Sequence, residues 1–356
     1  MTVRAAWRIQ RDLREILYPL VGACLLGILY GVYRHPVAWA GVVTGALAGT
    51  LICGGLLAVE RVAFTARRSR TWAKRPMWQF VGLRLAVYLV VALAGLSLSH
   101  LFGDRLLPRD HLHGIRLTPM DVAIAFSVSL AFVWLSDLAR FMGGRVLIDL
   151  LFGRQRVPRH ERRVFLMADV VGSSEAARRL GDFRYHAWLS DIFHDAAEAV
   201  ADHGGEIYRY VGDQIVVSWA LADQDDAGVK ALGCAFAIED ALLERRRYFR
   251  TTYARVPTLR FTLHAGAVVA GETGHLRREI VYLGEVVNDA AHLEQMTKDR
   301  CRRVVASDCV VDGLGLPSGV AVVERFDVAS ELGSMSHAYS LERVPRSPRD
   351  IAELAA

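Results

Sequence analysis

GGEIYRYVGDQIVVSW, residues 204–219, is the stretch from which the rest of the chain can be read. Two runs of alternating apolar residues, 207–211 and 214–219, flank the pair Gly212-Asp213. Gly-Asp between two strand-like runs predicts a hairpin turn, because glycine tolerates the backbone angles and a short carboxylate fits beside it. An acid at such a tip is held rigidly outside the core.

A second acid stands upstream. The apolar run 164–167 predicts a strand that ends in Ala168-Asp169-Val170-Val171-Gly172-Ser173-Ser174, a Gly/Ser turn opening a helix. Taken singly, an aspartate at a strand end is a turn former or a helix cap. Taken together, two carboxylates on neighbouring strands suit hard divalent cations, which in turn hold phosphate oxygens.

The chain has 356 residues, 53% of them hydrophobic, which is enough for two domains. The apolar excess lies before residue 152, in four runs at 16–32, 37–59, 85–101 and 122–135. A membrane helix needs about 20 apolar residues. Arginines 4, 8, 11 and 14 precede the first run, and a basic cluster from Arg61 to Arg75 separates the second from the third. A further set from Arg140 to Arg159 follows the fourth. The positive-inside rule then predicts four spans with both termini cytoplasmic. The net charge of +5 and the pI near 9.0 reflect this topology, so no nucleic-acid partner is expected. No cleavage site marks the first run as a signal peptide. The five cysteines form no CxxC pair or zinc spacing and read as small packing residues.

Gly41, Gly45 and Gly49 form a small-residue ridge on the second span, suited to packing inside the four-helix unit or between subunits. Arg84, at the cytoplasmic end of the third, is expected to snorkel to the headgroups. Residues 137–152 keep an amphipathic helical pattern, and 153–163 are short, basic and contain Pro158. From residue 164 the pattern becomes mixed α/β. One helix is expected over 173–203, another over 227–248 and another over 286–298. Strands are expected at 259–271, 279–283, 303–306, 320–326 and 337–341. The order β-α-β-β-α-β predicts an α+β domain with a ferredoxin-like βαββαβ core sheet and helices on one face. The expected organisation is a four-helix transmembrane domain over 1–140, an amphipathic coupling helix and linker over 141–162, the α+β domain over 163–344, and a tail over 345–356.

Three separated motifs carry a family resemblance. The segment 165–174, the hairpin 204–219, and HAGAVVAGETG (264–274) followed by YLGEVVNDAAHLE (282–294) together resemble the class III nucleotidyl cyclases, in a bacterial membrane-anchored form. The resemblance implies an adenylate cyclase at the cell (inner) membrane with its catalytic domain in the cytoplasm. It would convert ATP to 3′,5′-cyclic AMP and pyrophosphate. It also implies a homodimer with active sites at the interface. Asp169 and Asp213 of one chain, with the main-chain oxygen of Val170, would bind two Mg²⁺ or Mn²⁺ ions. The turn at Gly172 and Ser173 would offer backbone N–H groups to the triphosphate. Asn288 of the other chain matches the asparagine that orients the ribose.

Three positions depart from the family pattern. His292 stands where the family has an arginine that stabilises the reacting phosphate; histidine is shorter and only partly charged at neutral pH. Arg209 replaces the lysine with which adenylate cyclases read adenine. Val281 replaces the accompanying acid or hydroxyl residue. A guanylate cyclase would carry a glutamate at 209, so the arginine favours ATP. Two alternatives stay open: a guanylate cyclase, and a catalytically weak or inactive cyclase fold that regulates a partner. The GGEIY of 204–208 resembles the GGDEF signature of diguanylate cyclases only superficially, because its acid begins the strand instead of occupying the turn.

Overall fold

The computed structural model describes residues 3–34, 38–63, 76–106, 118–142, 157–221, 226–274, 279–300, 302–328 and 337–344. The chain divides into two units, Met1–Ile148 and Asp149–Ala356.

Among the described residues the first unit holds four helices, α1 (Val3–Arg34), α2 (Ala38–Ala63), α3 (Met77–Leu106) and α4 (Pro119–Met142). Three of them contain segments long and apolar enough to cross a membrane: Gly41–Ala63, Trp78–Phe102 and Pro119–Leu138. The apolar part of α1, Pro19–Tyr33, is shorter than a full span. The expectation of four spans therefore rests on three such segments and one short one.

The glycine ridge has a visible use. A Cβ at Gly45 would collide with the carbonyl of Gly27, one at Gly41 with that of Gly31, and one at Gly49 with that of Ala23. The ridge lets α1 and α2 meet backbone to backbone, so it packs inside the unit. At one end Tyr30 of α1 donates a 2.6 Å hydrogen bond to Asp121 at the start of α4. The Asp121 amide donates to Thr118 Oγ1 at 3.3 Å, which caps that start, and the amide and hydroxyl of Thr118 each donate back to Asp121 Oδ2 at 2.7 Å.

The other end is tied by Arg84, which corrects the snorkelling expectation. Its side chain has 0% exposure and reaches Glu60 of α2 and both Ser136 and Asp137 of α4. Two acids on neighbouring helices supply what headgroups would otherwise offer, and the guanidinium stays inside.

In the second unit, β1 (Arg159–Val170) is the central strand. Residues 164–170 are all buried because helices cover the sheet on both faces, and not on the one face expected. Val164, Leu166, Ala168 and Val170 point to one core and Phe165 and Met167 to the other. The strand begins at Arg159, inside the stretch expected as linker, because residues 159–163 pair with β4 (Leu259–Thr273) from Ala270 back to Gly266. The rest of that expected coupling segment, 143–156, and the tail 345–356 lie outside the described residues.

After β1 come α5 (Ser173–Leu180) and α6 (Asp182–Asp202), then the hairpin of β2 (Glu206–Val211) and β3 (Gln214–Ala220). The single helix expected over 173–203 is broken at Gly181, whose φ of 71° ends α5. Helices α7 (Ala227–Glu244) and α8 (Arg246–Tyr253) lead to β4, followed by β5 (Glu279–Leu283) and α9 (Glu285–Asp299). Then β6 (Val304–Ser307), α10 (Asp308–Leu314), β7 (Val320–Asp327) and β8 (His337–Arg343) complete the unit. The sheet order is β2-β3-β1-β4-β6-β8-β7, with β5 paired to β4. It is a mixed sheet: β4 and β6 run parallel while the other pairs are antiparallel.

The larger core lies under α6 and α7. Trp188, Ile192, Ala196 and Val200 recur at fourfold spacing along α6 and meet Ala231, Leu232, Ala235 and Ile238 of α7. The smaller core, on the opposite face, seats Val286 and Ala290 of α9 against Phe165, Met167, Val216 and Val268. Helix α9 is thereby fixed over the strands that carry the two candidate acids.

Candidate active site

Strand register brings the acids together. Asp169 lies opposite Gln214 on β3 and opposite Arg260 on β4. Asp213 immediately precedes Gln214 at the hairpin tip, where Gly212 adopts a φ of 60°. The two acids are close enough to influence each other. Burial raises the pKa of Asp169, Lys298 pulls it back, and the charges of Asp213 and Glu294 push it up again.

The cation beside Asp169 comes from α9. Lys298 Nζ is 3.3 Å from Asp169 Oδ2 and 2.6 Å from Glu294 Oε1. Burial opposes the charged ammonium, but the Glu294 hydrogen bond and the two carboxylates outweigh it and its pKa is raised. Gln214 Nε2 donates to the other oxygen of Glu294. Tyr185 of α6 completes the neighbourhood: burial and then the Asp213 charge raise its pKa, with Ser173 opposing.

The donors fit a hard divalent cation. They are carboxylate oxygens and the backbone carbonyl of Val170, and a positive group already stands at Asp169. Among the described residues no three His, Cys, Asp or Glu side chains converge on one point. Two protein carboxylates with substrate phosphates completing the shell is how Mg²⁺ is commonly held.

The turn after Val170 is braced from a distant loop. Arg255 Nη2 donates to the carbonyls of Val171 and Gly172, at 3.2 and 3.1 Å. The Val171 amide donates to Thr258 O at 2.9 Å. Gly172 is the N-cap of α5 in the left-handed region, φ 67°, and no side chain caps the helix. The first amides of α5 are thus left without a side-chain cap, just after the strand that ends in Asp169 and Val170.

Asn288 and His292 are exposed one turn apart on α9, whereas Val286, Ala290, Leu293 and Thr297 are buried on its opposite stripe. They point away from the sheet of their own chain. Arg209 is exposed and pairs with Glu279 Oε2 at 3.0 Å, its guanidinium over the Tyr208 ring. The β2–β3 register shifts between Ile207 and Arg209, a bulge that re-aims this side chain. Val281 is half-buried on β5 opposite Gly271 and shares a strand face with Glu279. His264 lies in the core, its Nδ1 2.8 Å from Ser307 Oγ and its Nε2 3.7 Å from Asp289 Oδ2, and supports the strand.

Lys298, Glu294, Arg260, Tyr185 and Arg255 are not among the residues that the sequence marks. Glu294 and Lys298 carry a legible signal, an acid four residues before a base on one helix. The others depend on strand register and on which loop folds over which, and no spacing in the chain encodes that.

No family model matches the chain. Adenylate cyclase 2 of Rhizobium meliloti (strain 1021) is 33% identical over 281 residues, covering 77% of this chain and 76% of that protein. Adenylate cyclase 1 of the same organism is 34% identical over 127 residues, 35% of this chain and 19% of that one. The solved structure of a bacterial light-regulated adenylyl cyclase superposes with a TM-score of 0.53 at 17% identity, over 67% of this chain and 70% of that chain. That last likeness concerns the fold.

Proposed function

This chain belongs to the class III nucleotidyl cyclases, and on that premise we propose that it is a membrane-bound adenylate cyclase. It would form 3′,5′-cyclic AMP and pyrophosphate from ATP at the interface of a homodimer. The observation that carries the site is that Asp169, at the end of β1, and Asp213, at the tip of the hairpin paired to it, feel each other's charge beside a backbone turn. In this reading Asp169, Asp213 and the Val170 carbonyl hold two Mg²⁺ or Mn²⁺ ions. When bound, such ions ease deprotonation of the ribose hydroxyl and neutralise charge on the phosphates. The chain's own work is positioning and electrostatics. The amides at Gly172 and Ser173 hold triphosphate oxygens, and Arg260, across from Asp169, adds positive charge on the same strand face. Arg209 and the wall formed by Val281 face the base.

A second copy of the chain is needed because Asn288 and His292 face outward from α9. There Asn288 of the partner would orient the ribose and His292 would donate to the reacting phosphate. ATP is favoured by the identity of the two relatives, both named adenylate cyclases, and by the cationic Arg209. The carboxylate of Glu279 beside Arg209 favours a second reading, because it could accept the N–H groups of guanine.

For the membrane unit we propose four crossings, with both ends and the cyclase unit cytoplasmic at the cell (inner) membrane. The backbone packing of α1 along α2 and the Tyr30–Asp121 bond support α1 as a true span. Leu25, Leu26 and Leu29 expose more than 60% of their surface on α1, as lipid-facing residues do.

The test is product identification by mass spectrometry from the full-length protein in lipid, given equal ATP and GTP with Mn²⁺. Cyclic AMP that vanishes in Asp213→Ala supports the proposal. Cyclic GMP would move it to a guanylate cyclase, and no cyclic nucleotide from folded dimer to a regulatory module.

A further inference from the structure

We propose that Lys298 is a built-in counter-cation of the candidate metal site, which holds Asp169 when no divalent ion is present and sets how tightly one binds. This rests on the reading that Asp169 and Asp213 hold that ion.

The geometry gives Lys298 two acceptors of different kinds. Asp169, at 3.3 Å, is a candidate ligand; Glu294, at 2.6 Å, lies one turn earlier on the same helix. Both carboxylates are largely buried, with side-chain exposures of 10% and 12%. Glu294 is fixed in turn by Gln214 Nε2, and Gln214 is the strand partner of Asp169. Two acids therefore share the ammonium, Asp169 from β1 and Glu294 from α9, and the charge of Asp213 at the hairpin tip acts on Asp169.

Burying such a cluster without a cation would be costly. Lys298 relieves that cost without any ion. A dication arriving at Asp169 must displace the ammonium from Asp169 but not from Glu294. The lysine withdraws onto Glu294, and one of its two contacts is exchanged for a stronger one. Metal affinity is thereby lowered by competition, and the empty site stays ordered. Glu294 precedes Lys298 by four residues, the favourable helical order for this pair, so the retreat position is stable.

The experiment is Mn²⁺ binding to the full-length protein in detergent, followed by electron paramagnetic resonance without nucleotide. Lys298→Met keeps the aliphatic stem and removes the charge. It should bind Mn²⁺ more tightly by roughly two- to fivefold, the weight of one partly exposed ion pair. Lys298→Arg should stay within about twofold of the native protein, because the charge is kept. Unchanged or weaker binding in Lys298→Met, in protein whose melting temperature still rises with Mn²⁺, overturns the proposal. Asp169→Asn distinguishes the underlying reading: if it binds Mn²⁺ as the native chain does, the metal assignment itself fails.

Discussion

Arg84 of α3 donates through Nη2 to both carboxylate oxygens of Glu60 on α2, at 3.2 Å each, from a side chain with no exposure. Asp137 near the end of α4 takes Nη1 of the same guanidinium, so one arginine joins three helices at one end of the first unit. Removing it leaves two acids without their shared cation in an apolar setting. Arg84→Met should destabilise this unit by about 3 to 5 kcal/mol. Arg84→Lys should recover only part of this, because an ammonium cannot reproduce the planar fork. Denaturant unfolding in detergent, followed on a tryptophan of the first unit, measures both, and equal stability of all three proteins would refute the clamp.

His264 gives the cyclase unit an acid-side weakness. Burial lowers its pKa from 6.5, with Asp289 and Asp308 opposing, so the folded state holds a neutral ring beside Ser307. The unfolded chain takes up the proton first as pH falls. The stability that His264 contributes is therefore complete above about 6.5 and declines below it, until the folded ring also protonates. His264→Gln should flatten the fall in melting temperature below pH 6.5. An unchanged slope would mean that other groups carry it.

Much of this architecture is legible in the chain because local pattern and global fold agree. The hairpin is legible from Gly212-Asp213 between alternating runs, and β1 from its apolar run ending in Asp169. The extension of β1 back to Arg159 is not, because RHERR at 159–163 is charged and becomes a strand only by pairing with β4. Likewise Arg84 reads as an interfacial arginine until Glu60 and Asp137 are seen to converge on it. Sequence spacing places residues on a face of one element. It does not tell which elements become neighbours.

Gly172 is a place where a single methyl group should matter. Its φ of 67° disfavours any side chain, and a Cβ would stand 2.6 Å from Arg255 Nη2. Gly172→Ala should cost about 1 to 2 kcal/mol in stability from the backbone alone. It should also raise KM for the nucleotide by disturbing the turn that Arg255 braces. Combining it with Arg255→Ala removes the clash but keeps the backbone strain, so the double variant should not regain native stability. Calorimetry and steady-state kinetics on the three variants check this, and native KM in Gly172→Ala would remove the turn from the binding site.

His292→Arg tests whether the chain is a weakened enzyme. An arginine there would present a permanent charge and a longer reach to the phosphate that gains charge as the bond forms. The expected result is a rise in kcat of roughly tenfold or more with little change in KM, because the contact strengthens at the transition state. His292 is exposed on α9, so the substitution is accommodated without repacking. No gain would mean that another cation, with Arg260 the first candidate, already serves the phosphate.

The two faces of one chain make the dimer testable. Asp213 lies at the hairpin tip beside Asp169, while Asn288 projects outward from α9. If each site takes its acids from one chain and its asparagine from the other, Asp213→Ala and Asn288→Ala damage different halves. Each variant alone should lose activity by about a hundredfold or more, since neither homodimer has an intact site. When the two are co-assembled in equal amounts, half of the dimers are mixed. Every mixed dimer carries one site with both lesions and one with neither. Activity should return to about a quarter of native, half the dimers with half their sites intact, as expected for a two-fold interface. Cyclic nucleotide production from co-expressed, separately tagged chains gives the number. Recovery near that level fixes the shared site, whereas no recovery from verified mixed dimers would place Asp213 and Asn288 in the same chain's site and end the interface reading.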